Sequence, residues 1–185
     1  MVDGLNVLVV DDERGLADLY AVWLGDDHEV KTAYSGQEAV EKVTSDTDIV
    51  ILDRRMPQMS GDKVLTIIRD RDLGCQVVMV TGVSADFDIL ALPFDAYLSK
   101  PASEDDLNAV IKRLHRRSTY EEALQDYFSL VSRQATVQAE KQPEQLAGND
   151  EYAALVDEIE TRREELDSLT DQLDEEDTDM FFTEL

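Results

Sequence analysis

Polar residues stand directly after short apolar segments at several places in the first hundred residues. The clearest segment is the aliphatic run at residues 49–52, which ends abruptly at Asp53. Similar segments end at Asp11 and Asp12, at Thr81, and at Lys100. Carboxylates, a hydroxyl and an ammonium group are together suited to holding a hard cation and stabilising a transferred anionic group. These groups must meet for such chemistry, so the elements that carry them decide the interpretation.

The apolar segments have the character of buried parallel strands. Runs of β-branched and aliphatic residues without polar alternation are typical of strands covered on both faces of a sheet. Pro57 cannot donate a ladder hydrogen bond, so the strand that carries Asp53 should stop at or near that residue. We predict five strands, at residues 6–10, 29–33, 49–53, 76–80 and 96–99.

Segments with helical spacing of apolar residues alternate with these strands. They cover residues 16–23, the stretch after the capping pair Ser35 and Glu38, the stretch after Ser60-Gly61, a short piece at 86–92, and the stretch after the pair Ser103 and Asp106. Repeated strand–helix units predict an α/β fold with one parallel sheet covered by helices on both faces.

The predicted sheet would bring the polar residues to one place. The carboxyl ends of parallel strands border the ligand crevice, so Asp11, Asp12 and Asp53 should lie together there. Three carboxylates cannot all stay ionised cheaply without a cation, and oxygen ligands of this kind suit Mg²⁺. A carboxylate so neutralised could attack a phosphoryl group, with Lys100 and Thr81 stabilising the transferred oxygens. An aspartate that closes a strand is by itself more often a helix cap, and the joint placement favours chemistry.

Four motifs resemble those of the response-regulator receiver family and together span residues 5 to about 117. They are Val9-Val10-Asp11-Asp12-Glu13, the run from Leu52 to Gly61, Val80-Thr81-Gly82, and Tyr97-Leu98-Ser99-Lys100-Pro101. The resemblance implies a flavodoxin-like, doubly wound, five-stranded parallel sheet in the order 2-1-3-4-5. It also implies a response regulator of a two-component phosphorelay. Such a phosphoprotein modifies only itself, so we do not expect an enzyme with an outside substrate.

The same resemblance implies a phosphoacceptor and a magnesium site. Asp53 would take a phosphoryl group from a sensor histidine kinase and become 4-aspartylphosphate. Mg²⁺ would be held directly by Asp12 and Asp53, largely through water by Asp11, and by the backbone carbonyl of Arg55. Lys100 would pair with the phosphoryl group.

A conformational switch is implied as well. Thr81 would swing toward the phosphoryl group, Tyr97 would follow, and the bond from Lys100 to Pro101 would be cis. Taken alone, Tyr97 favours another interpretation, a half-buried strand aromatic. Only 18 residues separate Thr81 from Lys100, a short span for the family, so we expect a truncated fourth helix.

The C-terminal part of the chain has a different character, and we predict a two-helix hairpin over residues 118–173 after a receiver domain at 1–117. The expected cap residues are Ser118 or Thr119 for the first helix, and Asn149 or Asp150 for the second. Residues 141–148 read as a connector. The apolar residues from Tyr152 to Leu173 follow heptad spacing, interrupted by Arg162, so the two helices should pack on each other, on the receiver or on a second chain.

Residues 118–173 resemble the HalX domain found after receivers in haloarchaeal proteins. The match rests on hydrophobic spacing and acidity, and the resemblance implies no firm biochemical role. Residues 174–185 alternate acidic and apolar side chains, which favours an acidic, flexible tail over a docking peptide.

Charge narrows the class of partners. The formal net charge is -25, and residues 118–185 carry 20 of the 42 acidic residues but four of the 17 basic ones. Such a surface repels phosphate backbones, so nucleic acid is disfavoured as a partner. The charge favours a halophilic protein whose acidic surface is screened by salt. The sequence shows neither a signal peptide nor a spanning apolar stretch, which predicts a cytoplasmic protein without a membrane partner.

Two classes of function remain open. The first is a phosphorylation-controlled switch whose output is a protein contact made by the C-terminal helices, including a homodimer. The second is a scaffold that keeps the receiver fold and acts without phosphorylation. A DNA-binding transcriptional regulator is a third interpretation, which the charge disfavours.

Overall fold

The computed structural model describes residues 4–82 and 92–177. Within them, five parallel strands form one sheet in the order β2-β1-β3-β4-β5, so the predicted fold class and strand order are confirmed. The strands are β1 (Asn6–Val10), β2 (Glu29–Ala33), β3 (Ile49–Asp53), β4 (Gln76–Thr81) and β5 (Ala96–Ser99). Thr81 is thus the last residue of β4 rather than the first residue after it.

Helices cover both faces of the sheet, and further helices follow the last strand in the chain. They are α1 (Arg14–Leu24), α2 (Gly36–Lys42), α3 (Gly61–Asp70), α4 (Glu104–Glu140), α5 (Pro143–Leu146) and α6 (Asp150–Asp177). The short helix predicted at 86–92, with the truncation expected there, falls almost entirely outside the described residues. Among the described helices, none has the length and apolar character that a bilayer span requires.

The strand residues divide between two hydrophobic cores. Ile49 and Ile51 lie in a core with Tyr20 of α1, whereas Val50 and Leu52 lie in a second core. That second core also contains buried residues of α2 and α3, which are Ala39, Val64, Leu65 and Ile68. Successive side chains of a strand point to opposite faces, so a strand buried on both faces must be apolar throughout. This explains the uninterrupted aliphatic run before Asp53.

Short-range caps start the helices that flank the sheet. Ser35 Oγ accepts from the Glu38 backbone N–H (3.2 Å), while the Glu38 carboxylate accepts from the Tyr34 N–H (2.9 Å). The pair at the start of α4 is reciprocal: the Asp106 N–H donates to Ser103 Oγ (3.2 Å), and the Ser103 N–H donates to Asp106 Oδ2 (2.8 Å). These contacts satisfy backbone donors that the first helical turn leaves unpaired.

The prediction that a new helix starts at Ser118 or Thr119 is wrong. Helix α4 continues through both residues, and the Thr119 hydroxyl donates to the His115 carbonyl at 3.0 Å. A serine or threonine inside a helix can satisfy its hydroxyl against the carbonyl four residues earlier, so a capping sequence alone does not end a helix. The stretch around residue 118 also lacks Gly and Pro, which would have interrupted the helix.

The chain divides into two compact units between Leu114 and His115. In the second unit, Asn149 caps α6 by accepting from the Tyr152 N–H at 2.7 Å. The predicted connector contains the short helix α5, and α6 includes residues 174–177 of the expected flexible tail. The remaining tail residues, 178–185, and the side chain of Leu173 lie outside what the structure describes.

The second unit buries few apolar side chains. Of those that the structure describes there, Leu130 and Leu166 are buried, whereas Phe128 is 58% exposed. Arg162 interrupts the apolar spacing as predicted, and its guanidinium pairs with Glu165 at 2.7 Å. A pair of helices with so small a core gains little stability from packing.

We predict that Gly61→Ala lowers the free energy of unfolding by about 1–3 kcal/mol, the usual cost of overpacking. A methyl group at Gly61 would overlap the Asp53 carbonyl oxygen and lie 2.9 Å from the Arg54 Cα. Urea denaturation measures the change. Gly74→Ala is the matched control, because a methyl group there meets no atom within 4 Å. Equal losses in both variants would show that close packing at Gly61 is not the cause.

Candidate functional site

The carboxyl edge of the sheet collects the polar residues predicted from the sequence. Asp11 follows β1, Asp53 ends β3, Thr81 ends β4 and Lys100 follows β5. The strand register places Asp53 beside Val80 and Thr81 beside Ser99, so the strand ends are level with one another. Asp11, Asp53 and Thr81 are 3%, 6% and 1% exposed, and such deep burial is unusual for the two ionisable carboxylates.

Three carboxylates and one ammonium group form the centre of this edge. Each of Asp11, Asp12 and Asp53 offers a carboxylate oxygen within 4.8 Å of the other two. Lys100 Nζ lies 2.6 Å from Asp11 Oδ2 and 2.8 Å from Asp53 Oδ1. The lysine therefore bridges the two buried carboxylates, while Asp12 is exposed at the mouth of the cluster.

A hydrogen bond attaches the backbone of Lys100 to the end of β4. The Lys100 N–H donates to the Thr81 carbonyl at 2.8 Å, and the bond from Lys100 to Pro101 is cis, as predicted.

Tyr20 is buried nearby in the core that also contains Ala102. Burial raises the pKa of Tyr20, and the charges of Lys100 and Asp11 act on it in opposite directions. The tyrosine thus lies within the electrostatic reach of the cluster.

The cluster contains more negative charge than one lysine neutralises. Burial raises the pKa of Asp53, and the charges of Asp11 and Asp12 add to that effect, although Lys100 opposes it. For Lys100, burial alone would lower the pKa, but its bonds to Asp11 and Asp53 outweigh burial and raise it. The lysine therefore stays protonated, whereas burial first, and the nearby carboxylates in addition, disfavour the ionised form of Asp53.

A hard divalent cation fits this arrangement. Asp11, Asp12 and Asp53 supply oxygen donors, which are the ligands that Mg²⁺ prefers, and the excess negative charge gives a cation a favourable site. Arg55 is exposed and lies two residues beyond Asp53, on the loop that leaves the cluster. The described residues thus fit a magnesium ion.

The two predicted switch residues occupy different environments. Thr81 is buried at the carboxyl edge. Tyr97 is half-buried in β5, beside Met79, and its ring centroid lies 6.1 Å from that of Phe94. This placement is the one expected for a strand aromatic, so the switch role of Tyr97 stays a prediction.

Two charged residues beside the cluster were missed in the sequence. Arg54 follows Asp53 directly and is 9% exposed, and its guanidinium pairs with Asp62 at 3.1 Å. The sequence does contain one indication of this pair: an arginine directly after a buried strand and an acidic residue in the first turn of the following helix. The aliphatic pattern does not indicate that the two side chains meet.

We predict that Asp53→Asn raises the free energy of unfolding at neutral pH in the absence of divalent cations. The raised pKa means that the folded protein binds a proton at Asp53 more tightly than the unfolded chain does. Stability therefore falls as pH rises from the ordinary value of 3.8 through the raised folded value, and the loss is complete above it. The advantage of the asparagine should be largest at neutral pH and shrink toward pH 3.8.

Urea denaturation of both proteins across this pH range measures the difference. Asp70→Asn is the matched control, because Asp70 is an exposed aspartate at the end of α3. An advantage of Asp53→Asn that stays constant with pH would contradict the explanation by ionisation.

Comparisons with known proteins agree with this geometry. Residues 7–112 match the response regulator receiver domain family, and residues 116–182 match the HalX domain family. Over 132 residues the chain is 47% identical to a candidate transcriptional regulator of Haloferax volcanii, covering 71% of this chain and 23% of the relative. It is 35% identical over 118 residues to the alkaline phosphatase synthesis regulator PhoP of Bacillus subtilis, covering 61% and 49%. The chain thus spans about half or less of these two curated relatives.

Solved structures show the same fold. A response regulator receiver domain from Clostridium thermocellum is 32% identical, with a TM-score of 0.56, covering 62% of this chain and 97% of that one. The response regulator TrrA of Thermotoga maritima, solved in complex with Mg²⁺ and BeF, is also 32% identical, with a TM-score of 0.53, covering 60% and 98%. From the matched families, the parallel sheet and the acidic cluster at its carboxyl edge, we conclude that the chain belongs to the response-regulator receiver family and carries a HalX domain after its receiver domain.

Proposed function

We propose that the protein is the phosphoacceptor of a two-component phosphorelay, with Asp53 as the residue that a sensor histidine kinase phosphorylates in the cytoplasm. The observation that carries the proposal is the bridge from Lys100 Nζ to two buried carboxylates, 2.6 Å from Asp11 and 2.8 Å from Asp53. A lysine held so close to a buried aspartate is placed to stabilise charge that develops on a transferred group.

The proposed reaction moves a phosphoryl group from a histidine of the kinase to Asp53. An Asp53 oxygen attacks phosphorus, the new O–P bond forms as the N–P bond breaks, and the histidine nitrogen keeps the bonding electron pair. Lys100 neutralises charge on the phosphoryl oxygens, and the Thr81 hydroxyl donates to one of them. Mg²⁺, when held by Asp11, Asp12, Asp53 and the Arg55 carbonyl, would supply further positive charge at these oxygens.

We predict that acetyl phosphate with Mg²⁺ places one phosphoryl group on each chain, detected by intact mass and removed by hydroxylamine. Asp53→Asn should accept none, because an amide is not a nucleophile at neutral pH. Lys100→Met should react more slowly, because the transferred charge loses its partner. Asp70→Asn is the control for loss of a carboxylate elsewhere. Absence of label on the wild-type protein, or equal label on Asp53→Asn, would end the proposal.

For the output, we propose that the C-terminal helices make a protein contact that depends on phosphorylation, and that the contact is a homodimer. Its support is the small core of the second unit together with Phe128, which is 58% exposed on α4. The competing interpretation is a scaffold that keeps these contacts without phosphorylation. Two relatives are named as transcriptional regulators, so the prediction against nucleic acid stays a prediction.

We predict that beryllofluoride with Mg²⁺ shifts the protein toward twice its monomer mass, measured by light scattering in high salt. Salt is required because two chains of charge -25 repel each other. Asp53→Asn should not respond, and Phe128→Ser should respond less than the wild type because it removes an exposed apolar contact. A mass that is the same with and without beryllofluoride would favour the scaffold.

A further inference from the structure

A partly buried ion pair lies next to the proposed phosphoacceptor in the chain. Arg54 Nε lies 3.1 Å from Asp62 Oδ1 and 3.4 Å from Oδ2, and Nη2 lies 3.3 Å from Oδ2. The Arg54 side chain is 10% exposed and that of Asp62 is 35% exposed. Asp62 stands in the first turn of α3, where the helix dipole favours a carboxylate. The two-point contact fixes both the position and the plane of the guanidinium.

The backbone of Arg54 is held as firmly as its side chain. Its carbonyl accepts from the Gly61 N–H at 2.8 Å. Gly61 in turn packs so closely on the Asp53 carbonyl that a methyl group would not fit. Residue 54 is therefore attached to the start of α3 through both its carbonyl and its side chain, which closes the loop between β3 and α3.

The loop needs such restraint, because part of it is in an unfavourable conformation. Gln58 has a φ of 66°, the left-handed region that residues other than glycine rarely adopt. A conformation of this kind persists only when the surroundings impose it. The attachments of Arg54 are two such constraints.

Stability alone does not account for a buried arginine in this place. Desolvating the Arg54 guanidinium costs free energy, and an ion pair whose carboxylate is 35% exposed adds little net stability in return. Removing the Asp62 carboxylate takes one partner away from a guanidinium that is 10% exposed, which destabilises the protein. We therefore ask whether the pair fixes the position of neighbouring groups. The nearest groups whose position matters belong to the carboxylate cluster, because Arg54 directly follows Asp53.

We propose that Arg54 and Asp62 are a positioning pair that sets the spacing between the Asp53 carboxylate and the Arg55 carbonyl, and through it the affinity for Mg²⁺. The proposal rests on the proposed function, which makes both groups ligands of one ion. Arg54 is the single residue between them, so a rotation of its backbone moves one ligand relative to the other. Groups that orient metal ligands typically change metal affinity about 10–100-fold when they are removed.

The test is magnesium affinity of the unphosphorylated protein, measured by calorimetry at a temperature where circular dichroism shows every variant folded. Asp62→Asn should weaken binding about tenfold or more. Arg54→Lys keeps the charge but loses the two-point contact, so it should also bind more weakly. The double variant Arg54→Met with Asp62→Leu should regain stability relative to Asp62→Asn without regaining affinity, because apolar packing does not restore the geometry.

Glu38→Gln is the matched control, because it breaks an ion pair with Lys42 on α2. Its affinity should equal that of the wild type. Wild-type affinity in Asp62→Asn and in the double variant would overturn the positioning pair and leave the proposed function standing. If Arg54→Lys binds like the wild type while Asp62→Asn does not, charge rather than geometry is responsible, and the proposal fails. Absence of binding to the wild-type protein would remove the proposed magnesium site together with the pair.

Discussion

The ammonium group of Lys100 between two buried carboxylates is the interaction on which the rest of the site depends. Asp11 and Asp53 come from different strands, and each would be expensive to bury as an unpaired charge. Lys100 offsets part of the cost of burying these two carboxylates, but one ammonium group does not neutralise both. The folded receiver domain thus holds more negative than positive charge at the carboxyl edge of its sheet. Burial, together with this excess of negative charge, raises the pKa of Asp53, and the same excess favours binding of a hard cation.

Much of this site could be predicted from the sequence, because a parallel sheet brings the polar residues that follow successive strands to the same edge. Residues 49–52 are apolar throughout since both faces of β3 are buried, and Pro57 stops the strand pattern near Asp53. Once the strands are parallel, their polar ends have to share one edge. Asp11, Thr81 and Lys100 could therefore be placed beside Asp53 without any contact being known.

Contacts that do not follow from strand order could not be predicted. The pairing of Arg54 with Asp62 depends on how the seven-residue loop at 54–60 folds back, including Gln58 in a left-handed conformation that its residue type does not signal. The continuation of α4 past Ser118 and Thr119 was missed for a related reason. A capping sequence is a local preference, and a serine or threonine hydroxyl bonded to the preceding turn is compatible with an uninterrupted helix.

The uninterrupted course of α4 has a consequence for how the two units can be separated. The division between Leu114 and His115 falls inside this helix. A cut there, or at residue 117, would create two new helix ends, each with about four backbone groups that have lost their intrahelical partners. Fragments prepared at this junction would therefore differ from the intact chain even without any other change, because the new ends of α4 would fray. A cut at residues 141–149, where α4 has already ended, would avoid new ends inside α4 but would divide the second unit itself.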